Sequence, residues 1–158
     1  MTKIAQLSVS AALTAGLIMA FTPTSAHAAP TIRSKALSTA AAQKNDPYRG
    51  GAAGPNAYDC SGLTYYSYKR HGKRLPRTAQ GQYNASIKVT PTGRRKGDLV
   101  FIGTSSGSVY HVGIYAGFWS GKGWMWNANS EAYRGKKVVL APIREYTSGS
   151  PKAYYGRF

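Results

Sequence analysis

The chain contains 158 residues, which is near the commonest size of one domain and excludes a second large domain within it. Hydrophobic residues make up 42% of the chain and charged residues 16%, so a packed core is expected and a disordered polyelectrolyte is not. The formal net charge of +16 is therefore expected on the surface of a folded domain.

The first 28 residues are typical of a secretory signal peptide. Lys3 supplies a positive start, residues 7–21 form an uncharged and mostly apolar run, and Ala26-His27-Ala28 is a small-x-small cleavage site. A membrane anchor or a buried helix is the alternative, but the run is shorter than the roughly 20 residues that a membrane span needs. The pattern predicts a secreted, extracellular protein with one mature domain over residues 29–158 and no transmembrane segment.

Three helices are predicted in the first half of the mature chain, over residues 31–45, 60–71 and 78–85. The first has apolar residues at helical spacing and is closed by Pro47. Asp59 is the expected N-cap of the second helix and Gly72 its stop, which places Cys60 in the first helical turn. A glycine-rich connection joins these two helices.

Five strands are predicted in the second half, where helical periodicity gives way to short apolar runs, over residues 98–102, 110–116, 123–128, 137–141 and 153–158. Clusters of glycine, serine and lysine separate them. Because no helical pattern lies between these strands, they are expected to form an antiparallel sheet of about five strands. The predicted fold class is α+β, with the N-terminal helices packed on the sheet.

Cys60 is the only cysteine, so no internal disulfide is possible. A lone cysteine in an exported protein is a buried small hydrophobe, an intermolecular crosslink or a thiol kept for its reactivity. The first turn of a helix favours the thiolate through the helix dipole and the unpaired N–H groups, which suits a nucleophile. A zinc site is not expected, because one cysteine and widely separated histidines lack the paired-ligand spacing.

A nucleophilic thiol needs a base, and the mature chain offers only two histidines. His71 closes the same predicted helix, and a rise of about 1.5 Å per residue places it roughly 16 Å from Cys60. His111 begins a strand that can face the helix terminus, and Asn127 is the best available group to orient its ring. The alternative is that both side chains only satisfy local hydrogen bonds, and spacing alone does not separate the two interpretations.

Motifs around these residues form one ordered set: Asn45-Asp46-Pro47-Tyr48, Tyr58-Asp59-Cys60-Ser61-Gly62-Leu63, Leu75-Pro76-Arg77-Thr78, Gly97-Asp98-Leu99-Val100-Phe101 and His111-Val112-Gly113-Ile114-Tyr115. In this order they resemble the NlpC-type (NlpC/p-sixty) papain-like cysteine endopeptidases of bacterial cell walls. The resemblance covers about residues 36–145. The Cys60 and His111 motifs at this separation are a strong joint signal, whereas either motif alone is weak.

The resemblance implies a papain-like fold and a peptidoglycan hydrolase. Such enzymes cut the stem peptides of peptidoglycan, typically between γ-linked D-glutamate and a diamino acid. The implied catalytic residues are Cys60 as nucleophile, His111 as general base and acid, and Asn127 as the third polar residue, in a segment where the family often has histidine. The resemblance implies no metal and no organic cofactor.

Other positions of the resemblance concern the substrate. Tyr48, Asp59 and Ser61 match positions that line the site in some relatives and contact the amino end of the stem peptide. Arg49 stands where the family often has an apolar or aromatic residue, which leaves the substrate preference open.

The basic surface adds a further expectation about partners. Basic clusters within residues 69–74 and 94–96 are expected to attract anionic wall polymers, although each is also explained as a solvated face. A non-catalytic, cationic wall-binding protein and an amidase or acyltransferase on the same scaffold are the alternative functions. A specific nucleic-acid binder is not expected, because it would leave the Cys60 and His111 motifs unexplained. A monomer suffices for all of these.

Overall fold

A computed structural model of the chain describes residues 28–132 and 135–158. The three predicted helices are present, with α1 at Ile32–Ala42, α2 at Cys60–Lys69 and α3 at Ala79–Ala85. α1 is shorter than predicted, and beyond it Asn45 adopts a left-handed φ of 74° and its N–H bonds to the Val138 carbonyl. The predicted signal peptide, apart from Ala28, lies outside the described residues.

Within the described residues, six strands form one antiparallel sheet: β1 Ile87–Val89, β2 Leu99–Gly103, β3 Val109–Trp119, β4 Lys122–Asn129, β5 Lys137–Pro142 and β6 Lys152–Arg157. Their spatial order is β1-β6-β2-β3-β4-β5. The α+β class and the five predicted strands are confirmed. β1 was not predicted, because an edge strand of three residues is too short to show an alternating pattern. It is held by pairing with β6, where Ile87 lies opposite Arg157.

The sheet is apolar on both faces, and each face carries its own cluster of buried side chains. The helices cover one face, where Leu63 and Tyr68 of α2 pack with Phe101 of β2. Alternate residues of the same strands form the second cluster on the other face together with Ile143; the strand residues include Val100, Ile102, Tyr115 and Met125. A short 3-10 helix at Ile143–Tyr146 covers part of this second face.

A buried carboxylate joins distant parts of the chain. Asp98, just before β2, accepts hydrogen bonds from Arg33 of α1 at 2.8 Å and from Arg157 of β6 at 2.7 Å, and its side chain is fully buried. The Arg95 backbone N–H donates a further bond of 2.7 Å. These bonds anchor α1 to β2 and β6.

The start of β3 lies against the N-terminus of α2, and the end of β4 lies beside it. The candidate site lies at this junction. Across residues 28–132 and 135–158, the structure contains no helix that is both long and apolar enough to cross a membrane.

Candidate active site

Cys60 is the first residue of α2, and local sequence fixes its position. Asp59 is the N-cap, as predicted, and its Oδ1 accepts a bond of 2.7 Å from the Gly62 N–H. A Cβ atom on Gly62 would lie 2.0 Å from the Ala52 carbonyl oxygen. Glycine is therefore required for the preceding loop to pass this close to the helix, and the Asp59-Cys60-Ser61-Gly62 motif is explained by packing as well as by chemistry.

The surroundings of the Cys60 thiol are less favourable to the thiolate than the helix position alone suggests. Burial raises the pKa of Cys60, and the negative charge of Asp59 raises it further. The backbone N–H groups of Val112, Ser61 and Cys60 itself act in the opposite direction. Because the net direction is upward, the thiol needs a proton acceptor beside it to become a nucleophile at neutral pH.

The imidazole of His111 is held by Asn127. The two strands that carry them approach closely, since a Cβ atom on Gly113 would lie 2.8 Å from the Trp126 carbonyl oxygen and 3.1 Å from Asn127 Cβ. His111 Nε2 lies 3.0 Å from Asn127 Oδ1, and both residues are buried. Because an amide oxygen only accepts, this bond places a proton on Nε2 and leaves the lone pair of the neutral ring on Nδ1.

Tyr146, in the 3-10 helix, contacts both of these side chains. Its ring is stacked on the His111 imidazole with centroids 5.1 Å apart and planes 3° apart. Its hydroxyl donates to Asn127 Oδ1 at 3.0 Å and lies 3.3 Å from Asn129 Oδ1. Tyr146 was not predicted from the sequence, because nothing in the local pattern of residues 143–146 indicates a contact with β3.

In the part of the chain that the structure describes, Cys60 lines two cavities. The smaller, of about 100 Å³, is also lined by His111, Tyr146 and Glu131, so the predicted nucleophile and base share one space. The larger, of about 600 Å³, is lined by all three predicted substrate-binding residues, Tyr48, Asp59 and Ser61. Burial raises the pKa of Tyr48, and the nearby charges of Cys60 and Asp59 act in the same direction, so its phenol remains a hydrogen-bond donor at neutral pH.

Arg77 organises the larger cavity. Its guanidinium forms a two-pronged bond to Asp59, with distances of 2.9 and 2.7 Å, and donates to Ser61 Oγ at 2.9 Å. Burial raises the pKa of Asp59, but the bonds from Arg77 and from the Gly62 and Gly51 N–H groups hold it below its usual value. The cavity therefore keeps an ionised carboxylate beside the nucleophile.

The sequence offered an indirect signal for Arg77, since it lies in one of the ordered motifs, but no role was assigned to it there. His71, which helical spacing had excluded as the base, lines neither of the two cavities at Cys60. Its Nε2 lies 2.8 Å from Thr39 Oγ1 of α1. The exclusion of His71 agrees with this placement.

Comparison with known proteins identifies the family. The chain matches the NlpC/P60 family over residues 45–151, and it belongs to this family of peptidoglycan hydrolases. It is 41% identical over 115 residues to a probable endopeptidase of Corynebacterium glutamicum, a match that covers 72% of this chain and 54% of that protein. The chain thus spans about half the length of this curated relative.

Two further relatives bear on activity. Over 89 residues the chain is 43% identical to the bifunctional muramidase/DL-endopeptidase CwlT of Bacillus subtilis, with 54% of this chain and 26% of CwlT covered. Among solved structures it is similar to RipD of Mycobacterium tuberculosis, described as a non-catalytic NlpC/p60 domain protein adapted to peptidoglycan binding. That likeness has a TM-score of 0.62 and 28% identity and covers 80% of this chain and 97% of RipD.

Proposed function

We propose that this protein is a secreted cysteine endopeptidase that cleaves the stem peptides of peptidoglycan at the bond between γ-D-glutamate and the diamino acid. The observation that carries the proposal is the shared cavity of Cys60 and His111, in which the His111 ring is oriented by Asn127. Family membership supplies the peptidoglycan substrate. The named DL-endopeptidase activity of CwlT supports the choice of bond.

The proposed reaction begins with the transfer of the thiol proton of Cys60 to His111 Nδ1, which creates a thiolate and an imidazolium. The thiolate attacks the amide carbonyl, and N–H groups at the start of α2 stabilise the oxyanion. His111 then donates its proton to the departing amine, and water releases the acyl group from Cys60. Asn127 Oδ1 accepts a hydrogen bond from the His111 Nε2–H throughout and stabilises the imidazolium.

The larger cavity is proposed to hold the amino end of the stem peptide. A free α-amino group is a cation at neutral pH, and the ionised Asp59 carboxylate is its natural partner. The Tyr48 phenol and the Ser61 hydroxyl line the same cavity and offer further hydrogen bonds. This arrangement favours stems whose terminal amine is free.

The test is mass spectrometry of the soluble fragments released when the purified protein is incubated with peptidoglycan. We expect fragments that end in D-glutamate and fragments that begin with the diamino acid, and we expect neither with Cys60→Ala. Cys60→Ser serves as a near-isosteric control for the fold. Fragments that persist in a folded Cys60→Ala variant would refute the thiol mechanism, and cleavage at the sugar–peptide amide would indicate an amidase instead.

Secretion is proposed from the sequence of residues 1–28. Expression of the full chain in a secreting bacterial host, followed by N-terminal sequencing of the protein in the medium, should give a mature chain that begins at Ala29. A chain retained inside the cell with Met1 intact would contradict this proposal.

The second candidate function is that of a non-catalytic wall-binding protein. It is supported by the similarity to RipD, which is described as a protein of that kind. Attraction between the excess positive charge and anionic wall polymers would hold such a protein on its target. Peptidoglycan from several wall chemistries that binds the protein but releases no fragments would favour this candidate. An acyltransferase would instead give products whose masses include an added amine.

A further inference from the structure

Tyr146 contacts two residues of the candidate site at once. Its ring lies parallel to His111 at 5.1 Å, and its hydroxyl lies 3.0 Å from Asn127 Oδ1. The hydrogen bonds of Asn129 fix the direction of this contact. Asn129 Nδ2 donates to the carbonyls of Glu131 and Gly135, so its Oδ1 faces the Tyr146 hydroxyl at 3.3 Å. A hydroxyl between two amide oxygens acts as a donor.

The orientation of the Asn127 amide determines the chemistry of His111. An amide can present either its oxygen or its NH2 group, and only the oxygen accepts a hydrogen bond from the Nε2–H of His111. Asn127 Nδ2 points at the Val139 carbonyl at 3.4 Å, a long and weak hydrogen bond. The hydrogen bond from the Tyr146 hydroxyl is therefore the stronger of the two contacts that keep Asn127 Oδ1 turned toward the imidazole.

We propose that Tyr146 is a positioning residue that fixes the Asn127 amide, and through it the His111 tautomer that accepts the proton of Cys60. This inference rests on the proposed function. In the favoured tautomer the proton lies on Nε2, so the S–H bond of Cys60 breaks as its proton moves to the Nδ1 lone pair. In the other tautomer Nδ1 already carries a proton and cannot accept one.

The first test uses the reactivity of the thiol in the full chain. Because Cys60 is the only cysteine, its alkylation by iodoacetamide reports on this site alone. Tyr146→Phe keeps the stacked ring and removes only the hydroxyl. The loss of one hydrogen bond is expected to slow alkylation at pH 7 and to lower kcat by about 3- to 10-fold, with KM unchanged.

The matched control is Tyr154→Phe. Tyr154 is also half-buried and lies on β6, where its ring packs against Tyr83 and lines neither of the cavities at Cys60. The control is expected to alkylate and turn over at the wild-type rate. Equal losses in Tyr146→Phe and Tyr154→Phe would overturn the proposal, because they would indicate a general effect on the fold.

The second test measures the tautomer directly by 15N NMR of the imidazole, in a background in which His27→Gln and His71→Gln leave His111 as the single histidine. We expect the proton on Nε2 in the parent and a mixture of tautomers in Tyr146→Phe. An unchanged tautomer together with unchanged alkylation would overturn the proposal. The pH profile of alkylation is also compared between the parent and Tyr146→Phe. Both proteins carry the same other titratable groups in the two cavities: Tyr48, Asp59, Arg77, Tyr110 and Glu131.

These measurements separate the inference from the proposed function, because neither alkylation nor NMR needs a substrate. If the parent protein cleaves no peptidoglycan but Tyr146→Phe slows alkylation and shifts the tautomer, the positioning role is supported and the proposed activity fails. If the parent protein cleaves and Tyr146→Phe matches it in every measurement, the positioning role is overturned and the proposed activity stands.

Discussion

Among single residues, Asn127 of β4 makes the most consequential contact, since its side chain bonds to the His111 ring on β3. Asn127→Ala removes the acceptor for the Nε2 proton and leaves the imidazolium without its partner. Hydrogen bonds to charged groups contribute about 1.5–3 kcal/mol, so kcat/KM should fall by about 10- to 150-fold. Steady-state cleavage of a synthetic stem peptide measures this loss. Asn84→Ala, at the exposed end of α3, is the control, and an equal loss there would contradict the argument.

Arg77 is a residue whose effect should depend on pH. Burial raises the pKa of Asp59, and the Arg77 bonds are among the contacts that bring it below its usual value. Arg77→Lys loses the two-pronged geometry, so the pKa of Asp59 should rise. The acidic limb of the kcat/KM profile, where this carboxylate becomes protonated, should then move to higher pH, with a rise in KM of about tenfold. A profile that superimposes on that of the parent would show that Asp59 does not bind substrate.

At the scale of elements, the N-terminus of α2 depends on close contact with the preceding loop. Gly62→Ala would place a methyl group 2.0 Å from the Ala52 carbonyl oxygen, so the loop or the helix must move. Overpacking of this kind costs about 1–3 kcal/mol, and the displacement should also remove most activity. Denaturant unfolding and peptide cleavage measure the two effects. Gly107→Ala, where the added atom meets nothing closer than 3.9 Å, should leave both unchanged.

The Asp98 site joins α1, β2 and β6, and its contribution to stability should also depend on pH. Burial raises the pKa of Asp98, but the bonds from Arg157, the Arg95 N–H and Arg33 hold it below its usual value. The folded protein therefore binds this proton more weakly than the unfolded chain. The stability that results is fully present above about pH 4 and is lost as the pH falls through the folded pKa.

This dependence gives a prediction for Asp98→Asn. The variant should lose about 2 kcal/mol of unfolding free energy at pH 7, because the arginines lose their charged partner. The difference from the parent should shrink as the pH falls below about 4, where the parent also loses the charge. Denaturant titrations across this range test it. A difference that is constant with pH would mean that the carboxylate charge is not what stabilises these elements.

For the whole molecule, the net charge of +16 predicts retention on the wall that depends on salt. Salt screens the interaction between exposed charges that are more than about 10 Å apart at 0.1 M, and more than about 3 Å apart at 1 M. Binding of the inactive Cys60→Ala variant to purified walls should weaken by about tenfold between 0.05 and 0.5 M NaCl. The inactive variant prevents cleavage from altering the measurement. Retention that is independent of salt would indicate that the protein binds the wall through the substrate cavity and not through its surface charge.

The sequence by itself determined most helices and strands of this fold and the residues around the nucleophile Cys60. Helix caps, apolar spacing and turn residues are local signals, so Asp59 was identified as an N-cap and the five longer strands were located. The Cys60 and His111 motifs indicated the family for the same reason, since each is a short segment with a fixed pattern. β1 was missed because its three residues, two exposed and one half-buried, show too little pattern.

Only the tertiary structure decided which distant side chains meet around these motifs. Arg77 pairs with Asp59 across 18 positions, and Tyr146 reaches His111 across 35. Such contacts depend on how the 3-10 helix and the loop before α3 pack on the sheet, and no periodicity of the sequence reports that packing. Burial likewise reversed the expected direction of the Cys60 pKa, because the desolvation of a thiol depends on everything packed around it and not on its place in a helix.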